Sequence, residues 1–146
     1  MIILDTNVLS ELMSTNPSRQ VLTWVAKQPA RELVTTCINE AEIFYGIELL
    51  SKGKRRDKLM ALAEAIFNNE FAGRILSFES DAARAYSRII AHRRRLGRPM
   101  SHQDAQIAAI AKVQGAKIAT RNITDFNDCD LVVIDPWNEP YSGTLV

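Results

Sequence analysis

A three-layer α/β/α fold around a five-stranded parallel sheet is what the sequence predicts, and three observations carry that expectation. Short apolar runs such as Ile2-Ile3-Leu4 lack any polar alternation, as strands covered on both faces do. These runs alternate along the chain with helical patterns, the signature of parallel strands joined by crossover helices. The stretch Ala105, Ile107, Ala108, Ala109, Ile110, Ala111 is apolar nearly all round, as for a helix buried against a sheet.

Taken in order, the first strand is Ile2 to Leu4, followed by a short helix from Asn7 to Met13 with Val8, Leu9 and Leu12 as its apolar residues. Asn16-Pro17 reads as cap and first helical position of a helix to Lys27, with Val21, Leu22, Trp24 and Val25 on one face. Pro29 ends it, and Leu33 to Cys37 is the second strand. Asn39 opens a helix to about Leu50. Lys52 to Arg56 is a basic turn before a helix from Asp57 to Asn68, striped by Leu59, Leu62, Ala63 and Ile66. Arg74 to Phe78 is the third strand. Ser80 caps a helix to Leu96 and Ser101 caps another to Gln114; Gly97 and Gly115 supply their left-handed stops. Lys117 to Thr120 is the fourth strand, Asn122 to Phe126 a helical turn, and Leu131 to Ile134 the fifth strand. The 146 residues fit one domain, 1–146, large enough to bury a core without staples.

Composition excludes several classes. The formal net charge is +1, so any polyanion has to be held locally rather than by the whole surface. Cys37 and Cys129 are isolated, without metal-ligand spacing, and read as free thiols of a reducing compartment. No signal-peptide pattern and no apolar run of about 20 residues is present, so a cytoplasmic protein without a membrane span is expected.

The acids are placed non-randomly. Asp5 follows the first strand, Glu42 lies in the first turn of the helix after the second, Asp104 in the first turn after Ser101, and Asp125 just past the fourth strand. In an open α/β sheet ligands bind beyond the carboxyl ends of the strands; with parallel strands at least three of these positions fall there, and Asp104 joins them if its helix starts beside that edge. Each acid also has a purely structural reading. Asp5 can cap the next helix, Asn39-x-x-Glu42 and Ser101-x-x-Asp104 both match the capping box, and Asp125 suits a turn. Gathered together they pose a different problem, since two carboxylates ~4 Å apart repel by about 4 kcal/mol at an effective dielectric near 20. A hard divalent cation, Mg²⁺ or Mn²⁺, relieves that repulsion. Clustered carboxylates with no Ser-His pair and no phosphate-cradling glycine loop suit phosphodiester hydrolysis assisted by one or two metal ions. Asp5 and Asp104 are then the main ligands; Glu42 ligates directly, through water, or acts as general base. Thr6 and Asn7 orient Asp5 or the water. Gly46, one turn past Glu42, allows either close approach of a backbone or plain helix packing.

Leu4-Asp5-Thr6-Asn7, Ala41-Glu42, Ser101-His102-Gln103-Asp104-Ala105-Gln106-Ile107-Ala108-Ala109 and Thr120-Arg121-Asn122, in this order and spacing, resemble the PIN-domain ribonucleases of the VapC type. Asp135-Pro136-Trp137 and the length are similar to the FitB-like branch. The resemblance implies a Mg²⁺-dependent endoribonuclease, the toxin of a type II toxin–antitoxin pair, with Asp5, Glu42 and Asp104 as its core acids. Many relatives carry Asp where this chain has Asn122; some place an acid three residues on, where it has Asp125. The resemblance also implies a cognate antitoxin whose apolar helix lies against Leu9, Leu12 or Met13 and sets a basic side chain among the acids. A homodimer is implied too, with operator DNA reached only through the antitoxin.

Substrate capture needs positive charge, and two clusters offer it: Lys52, Lys54, Arg55, Arg56 and Lys58, and Arg93, Arg94, Arg95 and Arg98. His92 and His102 read as surface residues. Two competing functions are weighed. A receiver-like phosphoacceptor module needs an Asp after the third strand, which here ends Phe78-Glu79-Ser80. A catalytically weak PIN-like module that only binds RNA or protein is favoured by the neutral Asn122 and opposed by Asp5, Glu42 and Asp104.

Overall fold

The computed structural model describes residues 1–139. Strand β1 (Ile2–Leu4) is followed by α1 (Thr6–Leu12), α2 (Arg19–Lys27), β2 (Leu33–Thr36), α3 (Cys37–Glu48) and α4 (Lys54–Ala65). Then come β3 (Ile75–Leu76), α5 (Ser80–Arg95), α6 (His102–Gln114), β4 (Lys117–Ala119) and β5 (Val133–Ile134). The five strands pair in parallel in the order β3-β2-β1-β4-β5, so β1 is central. Ile3 pairs with Val34 on one side and Ile118 on the other. The chain builds outward from β1 to β3 and then crosses back to start β4 on the other side. The order reverses between β1 and β4, and there a crevice opens beyond the strand ends.

The absence of alternation in the strands now has its cause. Ile2 and Leu4 point into a core built with Val8, Leu9, Val21, Trp24, Ile43 and Ile47. Ile3 and Ile118 point into the opposite core, with Ala82, Ala85 and the α6 residues Ile107 to Ala111. Each strand has an apolar neighbour on both faces, so both parities along it are apolar. Helix α6 is wholly buried along Ile107–Ala111 because it lies between the sheet and α5.

Several boundaries differ from the sequence expectation. Asn16-Pro17 does not start α2; Ser18 caps it, its hydroxyl accepting from the Val21 amide at 3.4 Å. Helix α4 begins at Lys54, placing Lys54, Arg55 and Arg56 within its first turn rather than in a loop. It ends at Ala65 and passes into a wider π-type turn over Ile66–Glu70. Strands β3 and β5 are two residues each, shorter than expected, because an edge strand is held from one side only. Glu79, not Ser80, stands at the cap of α5 and makes no side-chain capping bond. The stops at Gly97 (φ 72°) and Gly115 (φ 64°) and the Ser101 cap of α6 are as expected. Of the tail after Pro136, Trp137 packs against the first core; residues 140–146 lie outside the described residues.

Candidate active site

Asp5 stands one residue past β1, at the reversal point of the sheet, and its amide donates to the Ala119 carbonyl at 3.0 Å. Its place serves both a cap and a cleft wall. It caps α1 through the Thr6 amide at 2.9 Å, and it lines a cleft of about 620 Å³ together with Glu42, Asp104 and Asp125. Thr6, Asn7 and Asn122 line the same cleft.

The carboxyl of Asp5 is buried, and its oxygens are surrounded by donors. On Oδ1, the Thr6 amide is joined by Asn39 Nδ2 at 3.0 Å. On Oδ2, Thr120 Oγ1 donates at 2.8 Å and Asn7 Nδ2 lies at 3.5 Å. Asn7 also donates to Thr120 Oγ1 at 3.0 Å and accepts from the Arg121 amide at 3.1 Å, tying the β1 and β4 ends together.

Asn39 and Thr120 were missed as site residues. The sequence offers Asn39 as a helix cap, but Thr36 takes that place: its hydroxyl accepts from the Asn39 amide at 3.2 Å and donates to Asn39 Oδ1 at 2.6 Å. Asn39 therefore sits inside α3, fully buried, with its amide free to hold Asp5 and the Thr6 hydroxyl, each at 3.0 Å. The signal available was a second hydroxyl, Thr36, three residues upstream. Because α3 starts at Cys37, Glu42 lies in its second turn and the Asn39-x-x-Glu42 capping box does not form. For α6, Ser101 Oγ does accept from the Asp104 amide at 3.1 Å, and the acid still faces the cleft.

Electrostatics make the crowding explicit. Burial is the main cause pushing Asp5, Glu42 and Asp104 above their ordinary values. Glu42 is pushed up to about 7; the charges of Asp5 and Asp104 add to the effect of burial, and the Thr6 hydroxyl partly offsets it. Asp125 raises both Asp5 and Asp104, so the fourth charge felt in the cleft belongs to Asp125, three residues beyond the neutral Asn122. Among the described residues Glu42 Oε1 is buried with no hydrogen-bond partner.

Among the described residues no three Asp, Glu, His or Cys side chains close into a ready-made ion cage. The donor set nevertheless fits a hard cation that keeps much of its water. Such an ion needs one or two carboxylates rather than a full protein shell, and an orphaned carboxylate oxygen gains a partner when it binds.

A pH dependence follows. Glu42 has a folded pKa of about 7 against an ordinary 4.5, so the folded, metal-free protein holds its proton up to higher pH than the unfolded chain does. That contribution to stability is complete below 4.5 and is lost as pH rises through about 7. In EDTA the melting temperature should fall across this window, and Glu42→Gln should flatten the fall. A wild-type curve parallel to that of the variant would contradict it.

Comparison with known proteins agrees with this architecture. Residues 2–130 match the PIN domain. The chain belongs to the PIN-domain family. It is 37% identical over 137 residues to the VapC ribonuclease Y4jK of Sinorhizobium fredii, covering 94% of this chain and 98% of that protein. It is 34% identical to Toxin FitB of Neisseria gonorrhoeae over 139 residues, covering 95% of this chain and 100% of that one. A chain of FitAB bound to the IR36 DNA fragment superposes with a TM-score of 0.86 at 33% identity, covering 97% of this chain and 99% of that one.

The basic residues of this PIN domain divide: Arg56 and Arg93 are engaged within the fold, while the others of both clusters are exposed. Arg93 is buried at 5% exposure and acts structurally. Its guanidinium donates to the carbonyls of Arg98 at 2.7 Å, Asp125 at 2.8 Å and Asn127 at 3.0 Å, fixing the Ile123–Phe126 turn that carries Asp125. Arg56 is ion-paired to Glu48 at 2.6 Å. Lys54, Arg55 and Arg94 are exposed. His102 lies outside the cleft lining, hydrogen-bonded through Nδ1 to Tyr86 Oη at 2.6 Å. Replacing Arg93 by Leu strands three carbonyls and should cost about 3 kcal/mol. An urea unfolding midpoint unchanged from wild type would show that the latch contributes nothing.

Beside the acid cleft runs a groove of about 740 Å³ lined by Met13, Ile43, Gly46, Ile47, Leu59 and Leu62, with Glu42 and Thr6 at its inner end. Gly46 opens onto it: a Cβ there would meet nothing within 4 Å, so helix packing does not explain the glycine. Leu9 and Met13 are both buried in the core, at 1% and 7% exposure, and Leu12 packs against it; of the three, Met13 lines the groove.

Proposed function

We propose that this PIN domain is a divalent-metal-dependent endoribonuclease, with residues 1–146 acting as one nuclease unit. The reading is carried by one observation: Asp5, Glu42, Asp104 and Asp125, from four separate stretches of chain, share one cleft at the reversal point of the sheet, with a buried Glu42 oxygen left unpartnered. Asp5, Glu42 and Asp104 would hold Mg²⁺, or Mn²⁺ in its place, with Asp125, three residues beyond the neutral Asn122, as the fourth acid. When bound, the ion supplies neutralisation of the scissile phosphate and a water of lowered pKa. The chain's own part is orientation and proton transfer. Asn39, Thr120, Thr6 and Asn7 hold Asp5 by hydrogen bonds, and Glu42 would take the proton of the attacking water as the water oxygen bonds to phosphorus. The P–O bond to the next ribose then breaks, and that oxygen leaves with a proton returned by Glu42 or taken from bulk water.

Names of the relatives support the wider role. They include a VapC ribonuclease, Toxin FitB and the FitAB assembly on DNA. We infer the role of toxin in a type II pair, cytoplasmic like its RNA substrate, with a cognate antitoxin segment seated in the groove beside α3 and operator DNA reached only through that antitoxin. A homodimer is part of the same proposal. No helix among the described residues is long and apolar enough to cross a membrane.

The deciding experiment incubates purified protein with single-stranded and structured RNAs in Mg²⁺, Mn²⁺ and EDTA. Internal cleavage in the metals and none in EDTA is expected; cleavage persisting in EDTA overturns the mechanism. The groove makes a smaller prediction. Because Gly46 has open space around its Cα, Gly46→Ala should raise stability by about 0.5–1 kcal/mol through helix propensity alone. A lowered melting temperature would show that the position is tightly packed after all.

A further inference from the structure

The acid cleft poses a difficulty for a nuclease. Its lining includes Asp5, Glu11, Glu42, Asp104 and Asp125, and a single basic side chain, Arg121. A ribonucleic acid strand entering it meets like charge, and any ion held by the acids offsets this only at the scissile group. An exposed arginine beside five carboxylates would ordinarily pair with one of them. Arg121 takes part in none of the ion pairs among the described residues. Its guanidinium instead lies over the Trp137 ring, 4.9 Å from the centroid.

Both partners are held in place from their backbones. The Arg121 amide donates to Asn7 Oδ1 at 3.1 Å, the same Asn7 that reaches the Asp5 carboxylate. Trp137 sits on a turn closed by Asp135, whose Oδ1 accepts from the Trp137 amide at 2.9 Å and whose Oδ2 accepts from Asn138 Nδ2 at 2.7 Å. The ring is half-buried against the core and lines the cleft mouth. A guanidinium stacked on an aromatic face keeps its in-plane N–H fork open, the geometry that meets phosphate oxygens two at a time. Stacking also restricts the long side chain beforehand, so less freedom is lost when an anion binds. The other exposed basic residues, Lys54, Arg55 and Arg94 among them, lie outside the lining of this cleft.

We propose that Arg121, stacked on Trp137, grips a backbone phosphate of single-stranded RNA at the mouth of the acid cleft, with Trp137 as its positioning residue. The assignment rests on the ribonuclease reading above and names how that site holds its substrate. Arg121 contacts the strand; Trp137 acts through Arg121.

The test is binding without cleavage: fluorescence anisotropy of a short labelled single-stranded RNA with the protein in EDTA, from about 50 to about 200 mM KCl. Arg121→Ala should weaken binding about 10-fold, as for loss of a charged hydrogen-bonded contact. It should also reduce the slope of log K against log salt by about 0.7, the share of one single-strand phosphate. Trp137→Leu should weaken binding about 3-fold, the size of a lost cation–π contact, and Trp137→Phe should restore most of it. The double variant Arg121→Ala/Trp137→Leu should bind no worse than Arg121→Ala alone, since the tryptophan acts through the arginine.

Three results overturn the proposal: wild-type protein that does not bind the RNA, a salt slope unaltered by Arg121→Ala, or a Trp137→Leu loss of equal size with Arg121 already removed. Melting curves of each variant separate loss of fold from loss of contact, and the exposed Arg121→Ala is the one that must remain folded. The two readings fail separately. Protein that cuts no RNA but shows the slope change keeps the phosphate grip and loses the ribonuclease; protein that cuts RNA with Arg121→Ala binding normally does the reverse.

Discussion

Asp5→Asn is expected to reduce metal-dependent RNA cleavage by more than about 100-fold, the upper end of what losing even an outer partner of a metal-holding carboxylate costs. The fold should survive, because the substitution is isosteric and removes one of several charges that repel each other in the cleft. Two effects oppose each other in stability. Neutralising a buried carboxyl that is disfavoured by desolvation helps the metal-free protein. Against that, Asn presents an NH₂ where Asp5 accepts from Thr120 Oγ1 and Asn39 Nδ2, so one donor faces another. Thr120 cannot simply turn round, since its oxygen already accepts from Asn7 Nδ2 and the Asn122 amide. A melting temperature within a few degrees of wild type, combined with lost cleavage and lost stabilisation by added Mg²⁺, is the expected result. Full cleavage by the folded variant would remove Asp5 from the chemistry altogether.

The second large effect is expected at Asn39, a residue outside the acid set. Asn39→Leu leaves the Thr36 hydroxyl without its acceptor and takes one donor each from Asp5 and Thr6, all in a buried setting. Each stranded group costs about 1–3 kcal/mol, so a total near about 3 kcal/mol is a conservative sum. For a chain of this size that is a melting-temperature loss of roughly 6–12 °C. Activity should fall a further 10- to 100-fold, as for other supports of metal-holding carboxylates. Asn39→Asp separates donor chemistry from packing. It preserves shape but sets a second acid against Asp5 Oδ1, where about 4 kcal/mol of repulsion applies at ~4 Å and an effective dielectric near 20. It should therefore be less stable than Asn39→Leu at pH 8 and recover on acidification. If the two variants melt alike at both pH values, the amide of Asn39 is filling space rather than holding Asp5.

Asp5 and Asp104 were legible in the sequence because each follows directly on a local signal. Asp5 ends an apolar run and Asp104 follows a serine cap, and such signals are read within a few residues. Their supports were not legible by the same rule. Thr36 and Asn39 are both good caps three residues apart, and only the end of β2 decides between them. Arg93 sits in a run of basic residues that looks solvated; its burial depends on the 123–127 turn, thirty residues on, folding over it. The pairing of Arg121 with Trp137 joins the ends of two different segments and leaves no pattern in either.

What the sequence determined alone is therefore the set of elements, their order, the glycine stops at Gly97 and Gly115, and the placing of acids beyond strand ends. All of these are short-range consequences of backbone stereochemistry and apolar patterning. The tertiary structure decided which polar group serves which: Asn39 and Thr120 turned onto Asp5, Arg93 drawn inward, Arg121 laid on Trp137 rather than on a carboxylate. Those choices depend on strand pairing, since placing β1 between β2 and β4 brings Asn39 and Thr120 within about 3 Å of one carboxyl and so fixes where each donor must point.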